Sequence, residues 1–222
     1  MFVGHYGVSF AAKRAEGTIP LWVLFLAVQF LDVLWAPCIL LGIERVRIVP
    51  GITVSNPLDL YYMPYTHSLV AALVWSCVGA LAYQLVARPS RRRTSAIVGL
   101  AVFSHWILDL VVHRPDLPLY DNSAKVGLGL WNHPAIAFGL EAALLFGGVW
   151  LCLRGRFARS LGTLVFGLLM LAIQAYVFFG PPPTSDRAAA STALIAYALF
   201  ATVIWWLQDR RAVTRGLRVE PS

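Results

Sequence analysis

Six apolar stretches, each close to the length of a membrane-spanning helix, leave this chain few folds to choose from. They fall at about 19–42, 65–87, 94–113, 135–153, 161–180 and 188–208. An α-helix needs about 20 residues to cross the hydrocarbon core of a bilayer. Lipid offers no hydrogen bonds to an exposed backbone, so the helix, whose N–H and C=O groups pair internally, is the natural spanning form. The expected fold is all-α: a polytopic bundle of six transmembrane helices. Residues 1–16 are too short to span and are expected to form a short N-terminal re-entrant or interfacial helix. Composition agrees, since 59% of the 222 residues are hydrophobic and 13% are charged, against about 25% charged in a soluble domain. Residues 1–222 therefore read as one transmembrane domain. It comprises a candidate metal-site half over 1–120, three further spans over 134–208 and a basic tail over 209–222.

The net charge is +7. In a soluble protein that would suggest nucleic acid; here cytoplasmic loops rich in Lys and Arg explain it, and no nucleic-acid partner is expected. With six spans, thirteen of the 18 basic residues fall on the side shared by both termini. The positive-inside rule then makes both termini cytoplasmic, in the inner membrane of a bacterial cell, and turns the loops 43–64 and 114–133 outward. The first apolar stretch follows Lys13 and Arg14 but is too long for a cleaved signal peptide and is expected to be retained. Cys38, Cys77 and Cys152 are scattered singly and read as small buried hydrophobes.

Ionisable groups inside spans are costly and mark function or polar packing. The span 94–113 carries three of them, His105, Asp109 and His113, at four-residue steps. On a helix a four-residue step turns the side chain by only ~40°, so the three share one stripe. At 1.5 Å per residue, Asp109 lies roughly 22 Å and Asp32 roughly 20 Å above the inner interface, and His67 roughly 30 Å. Groups from three spans thus meet at similar depth. Imidazole with carboxylate is a ligand set for zinc, and also for manganese or iron. The alternative is a hydrogen-bonded interhelical cluster without metal.

Several short motifs fit together. Gly4-His5 stands near the start, Phe30-Leu31-Asp32 places an acid within the first span, and Thr66-His67-Ser68-Leu69 opens the second. Ser104-His105-x-x-x-Asp109 is followed by Pro115-x-x-Pro118-Leu119. In these motifs the chain resembles the bacterial family of membrane-bound metal-dependent hydrolases, over about residues 1–120. The order of the residues also echoes the soluble zinc-dependent phospholipase C and single-strand nuclease fold. The resemblance implies that His5, Asp32, His67, His105 and Asp109 are metal ligands. The chain departs from the family pattern at Asp32-Val33-Leu34-Trp35, where Asp-x-Asp-His is common. It departs again at Tyr61 to Tyr65, where Gly-His-Arg is common. One or two divalent ions, zinc first among them, are therefore expected.

The expected activity is hydrolysis of a phospholipid or lipid-linked phosphoester by metal-activated water, with membrane lipid as the partner. Asp32 or Asp109 would bridge or orient the water. His113, at the outer end of its span beside Arg114, is expected outside the ligand set as an acid/base group or a solvent-facing residue. His5 begins on the cytoplasmic side and can reach the cluster only if residues 1–12 fold back into the bundle. Glu141 and His133 are weaker candidates, and Trp106, Trp131, Trp205 and Trp206 read as packing or interface anchors. A small transporter using the same cluster as an ion or proton site is the alternative, as is a structural membrane protein.

The orientation is testable in intact cells. In a cysteine-free background, Ser123→Cys should react with a membrane-impermeant maleimide and Val213→Cys should not. The opposite labelling would invert the topology.

Overall fold

The computed structural model describes residues 1–87, 92–154 and 160–209. The basic segments at 88–91, 155–159 and 210–222, which carry most of the expected cytoplasmic charge, fall outside the described residues. The described chain is mostly helical. Its helices are α1 (Val3–Ala15), α2 (Leu21–Val28), α3 (Phe30–Leu40), α4 (Leu69–Val86), α5 (Arg92–Val112), α6 (Pro134–Leu153), α7 (Ser160–Phe179) and α8 (Asp186–Ile204). Five of them, α4 to α8, are long and apolar enough to cross a membrane. Their outward faces carry large exposed apolar side chains, such as Leu73, Leu81, Leu100, Leu168 and Leu199. Such faces suit lipid, not water.

The first apolar stretch is not the single straight helix expected over 19–42. It breaks at Gln29, where α2 and α3 meet at a bend of 54°. Gln29 leaves the helical region, with ψ near 8°. Its side-chain amide donates to the Phe2 carbonyl at 3.1 Å, and the Val28 carbonyl beside it receives a ring nitrogen of His105 at 2.7 Å. The break thus exchanges local helix continuity for two tertiary hydrogen bonds, which satisfy the freed backbone inside the protein. The loop 43–64 is also more ordered than its turn-rich sequence suggests. Strands β1 (Arg45–Ile48) and β2 (Leu58–Tyr62) pair antiparallel, with Arg45 opposite Tyr62 and a bulge before Arg47.

Within residues 1–16, Val3–Ala15 form α1, which packs against α6 and α2. In lipid the hydrophobic effect does not drive helices together, so close van der Waals approach and hydrogen bonds must do so. Gly7 and Gly148 supply the approach. A Cβ on Gly7 would lie 2.1 Å from the Leu144 carbonyl oxygen, and one on Gly148 would lie 2.1 Å from the Gly7 carbonyl oxygen. Ser9 adds a hydrogen bond to the Leu24 carbonyl at 3.0 Å. Beneath them an aromatic core gathers Tyr6, Phe10, Phe25, Phe166 and Phe200. A second apolar cluster, with Trp35, Met63, Leu117 and Trp131, lies under the hairpin and the loop 113–133. Between the two sit the polar residues of α1, α3 and α5.

Gly7→Ala and Gly148→Ala should each push α1 off α6 and lower the thermal midpoint of the detergent-solubilised protein. Overpacking of this kind costs about 1–3 kcal/mol. Gly147→Ala, whose added Cβ meets nothing within 4 Å, should leave the midpoint near that of the parent. Equal midpoints for all three would show that α1 does not depend on this contact.

Candidate metal centre

Four elements deliver the five residues of the polar cluster. His5 comes from α1, Asp32 from α3, His67 from the turn before α4, and His105 and Asp109 from successive turns of one α5 face. The helical spacing brings His105 Nε2 to 3.1 Å from Asp109 Oδ2. His67 Nε2 lies 3.3 Å from Asp32 Oδ1 and 3.8 Å from Asp109 Oδ2. His105 Nε2 is 3.7 Å from Asp32 Oδ1. On the other side of the Asp109 carboxylate, His5 Nε2 stands 3.1 Å from Oδ1, and the amino-terminal ammonium of Met1 donates to the same oxygen at 2.5 Å as an ion pair. The His5 and His105 rings stack with centroids 4.0 Å apart. The structure therefore brings His5, Asp32, His67, His105 and Asp109 to one centre.

The protonation of three rings follows from what holds their far sides. The Val28 carbonyl can only accept, so His105 Nδ1 donates to it. Thr66 Oγ1 gives its single proton to Glu44 Oε2 at 2.6 Å. It must therefore accept from His67 Nδ1 at 2.7 Å. Asp116 Oδ1 lies 2.9 Å from His113 Nδ1 and accepts a hydrogen bond from it. In neutral imidazoles held this way, the Nε2 atoms of His67 and His105 face the carboxylates with lone pairs, not protons. His105 Nε2 is buried without a hydrogen-bond partner. Lone pairs facing one another repel unless positive charge lies between them.

A metal cation could be held at that position. Zinc–nitrogen and zinc–oxygen bonds of about 2.0–2.2 Å in a tetrahedron set ligand atoms about 3.3 Å apart. The four His–Asp separations among Asp32, His67, His105 and Asp109 run from 3.1 to 3.8 Å. Both triads, His5–His105–Asp109 and Asp32–His67–His105, have ligand atoms within 4.8 Å of one another. They share His105, whose one free nitrogen serves one ion. His5 differs from the others, since its Nδ1 is buried with no partner and no acceptor fixes its tautomer.

His113 is not at a solvent-facing edge. It is 3% exposed, Trp131 covers its ring at 4.3 Å, and its Nε2 lies 3.6 Å from Asp109 Oδ2. Beyond it, Asp116 Oδ2 faces Arg114 Nε at 3.2 Å. Arg114 pairs with Asp59, which also takes Arg47 across the hairpin. His133 is exposed at the start of α6, apart from the cluster. Glu141 lies at the core of the bundle: Oε2 accepts from the Phe2 and Gly4 amides at 2.9 and 3.1 Å, and Oε1 from Gln174 at 2.9 Å. It caps α1 from the side of α6 and so fixes the depth of His5. Trp106 is a packing residue of the core, and its Nε1 also donates to the His67 carbonyl at 2.9 Å.

Glu44, Asp116, Gln174 and Tyr197 were not foreseeable as neighbours of the cluster. Tyr197 donates to Asp32 Oδ2 at 2.6 Å from an apolar helix that carries no signal for it. Compared with protein-family models, curated proteins and solved structures, the chain matches none.

Glu141→Ala would leave two amides of α1 and the Gln174 side chain without an acceptor. At about 1–3 kcal/mol for each buried group left unpaired, its thermal midpoint should fall well below that of Glu141→Gln, which keeps a carbonyl acceptor. If both variants match the parent, Glu141 does not hold α1 in place.

Proposed function

We propose that this chain is a six-span inner-membrane hydrolase in which Asp32, His67, His105 and Asp109 bind a divalent metal, zinc by preference. In this reading α2 and α3 together make the first, broken span, α1 is a half-spanning helix entering from the cytoplasmic side, and both termini are cytoplasmic. His5 stands on the far side of Asp109, as a further ligand or as a donor that orients the carboxylate. The observation that carries the reading is the convergence of lone pairs at buried depth. Without a cation, two imidazole nitrogens and two carboxylate oxygens would oppose one another in a medium of low dielectric. The resemblance in Thr66-His67-Ser68-Leu69 and Ser104-His105-x-x-x-Asp109 supports the same family of chemistry.

An ion held there supplies Lewis acidity, which lowers the pKa of water toward neutrality and polarises an ester. The surrounding residues do the rest. Tyr197 holds Asp32 Oδ2 and leaves Oδ1 facing His67 and His105. Asp32 is the open edge of the cluster: its side chain is 17% exposed, whereas those of His5, His67, His105 and Asp109 are 4% or less. A substrate therefore arrives beside Asp32, where the carboxylate can orient water toward it. The buried walls of His113 and Trp131 exclude water from the opposite side. Since Asp32 lies within an apolar span, the arriving molecule is an amphiphile, and a phospholipid or lipid-linked phosphoester is the class proposed.

Elemental analysis of the purified protein, beside His105→Ala and Asp109→Asn, tests this. The parent should retain close to one zinc or related ion per chain and release phosphate-containing product from lipid vesicles. Each variant should lose the ion and lose activity by at least about 100-fold. Absence of metal from the parent, or full activity in both variants, would refute the hydrolase. Ion flux in proteoliposomes without product would point to transport instead.

A further inference from the structure

Glu44 takes no part in the proposed hydrolysis, yet it is a carboxylate at 1% exposure. Burying such a group is costly unless donors surround it. Oε1 accepts from the Tyr65 and Thr66 amides at 2.8 and 2.9 Å, and Oε2 accepts from the Thr66 hydroxyl at 2.6 Å. Three donors in one turn make a built arrangement. The same turn leads directly into His67, and the fourth contact is Thr66 Oγ1 to His67 Nδ1 at 2.7 Å.

We propose that Glu44, acting through the Thr66 hydroxyl, is the positioning residue that holds His67 as the Nδ1–H tautomer and presents its Nε2 lone pair to the centre. A hydroxyl has one proton to give. Glu44 claims it, so Thr66 Oγ1 is left only as an acceptor toward the ring. Without the carboxylate, the hydroxyl could turn its proton onto Nδ1, and the ring would carry its own proton on Nε2, where a ligand must have none. The backbone on both sides is fixed. Trp106 holds the His67 carbonyl. Ser68, bonded to the Pro64 carbonyl at 2.8 Å, caps α4 through the Ala71 amide at 3.1 Å. Glu44 itself is set by the turn that ends α3, where its amide meets the Cys38 carbonyl at 3.2 Å, and by β1, which starts at the next residue. The outer hairpin therefore takes part in orienting a ligand deep in the bundle. Outer partners of this kind raise metal affinity by fixing ring orientation and tautomer.

The proposal rests on the metal reading given above, and two readouts separate their failures. The first is the nitrogen-15 spectrum of the His67 ring in the metal-free protein, which reports the tautomer whether or not metal binds. The second is zinc affinity by chelator competition. The parent and Thr66→Ser, which keeps the hydroxyl, should both show protonated Nδ1 and bare Nε2, with affinities within about threefold. Thr66→Val and Glu44→Gln should lose the tautomer preference and bind zinc about 10–100-fold more weakly. A parent with the Nε2–H tautomer would overturn the proposal, as would Thr66→Val retaining both tautomer and affinity. Loss of affinity in Thr66→Val with the tautomer unchanged would overturn it too. If the parent shows the expected tautomer and its loss in Thr66→Val but binds no zinc, the relay stands and the metal reading falls.

Discussion

The structure turns on the buried Asp109 carboxylate. One oxygen faces His105, His67 and His113 at 3.1, 3.8 and 3.6 Å, and the other faces His5 at 3.1 Å. The packing of α1, α3, α5 and the turn before α4 is arranged around those contacts. A carboxylate in an apolar medium attracts positive charge strongly; the Met1 amino group supplies it to Oδ1 at 2.5 Å, and neutral imidazoles held by their far nitrogens do not supply it to Oδ2. Replacing the set by well-packed apolar residues would cost a bundle little stability. Its presence thus accords with the ligand role proposed for it.

Membrane burial sets the conditions for everything near that carboxylate. Each polar group must find its partner inside the protein, and the fold shows how. Glu141 caps α1 in mid-bundle. Gln29 breaks the first apolar stretch between α2 and α3 and pairs with the Phe2 carbonyl. Val28 lends its carbonyl to His105, and Ser9 ties α1 to Leu24. The break at Gln29 is therefore part of the site: it frees a carbonyl to select the His105 tautomer and turns Asp32 inward. Gly7 and Gly148 let the backbone of α1 come close enough for His5 to reach Asp109. These small contacts carry the placement of the site, because aromatic burial alone gives little directional preference in lipid.

Much of this was legible in the residues. The four-residue spacing of His105 and Asp109 puts both on one face of α5, and the apolar runs announce spanning helices. Depth arithmetic brings Asp32 and Asp109 to nearly one level, roughly 20 and 22 Å, with His67 above them at roughly 30 Å, because helical rise is regular. What the sequence could not show is where regularity fails. The Gln29 bend depends on partners far along the chain, Phe2 and His105, so no local pattern marks it. The hairpin at 45–62 is short and its sequence is dominated by turn formers, which masks four- and five-residue strands. His113 looked peripheral because a span end is an exposed place in a simple topology; here the loop 113–133 folds back, with the Gly129 amide on the His113 carbonyl at 2.6 Å, and buries it. Glu44 in a loop and Tyr197 in an apolar helix carry no signal at all until tertiary contacts place them beside Thr66 and Asp32.

X-ray absorption at the zinc edge of the purified, zinc-loaded protein tests the central claim most directly. The account predicts a shell of nitrogen and oxygen at about 2.0–2.1 Å, with the outer scattering of at least two imidazoles and no sulfur. A sulfur shell at about 2.3 Å, a shell without imidazole scattering, or protein that keeps no zinc through purification would contradict it.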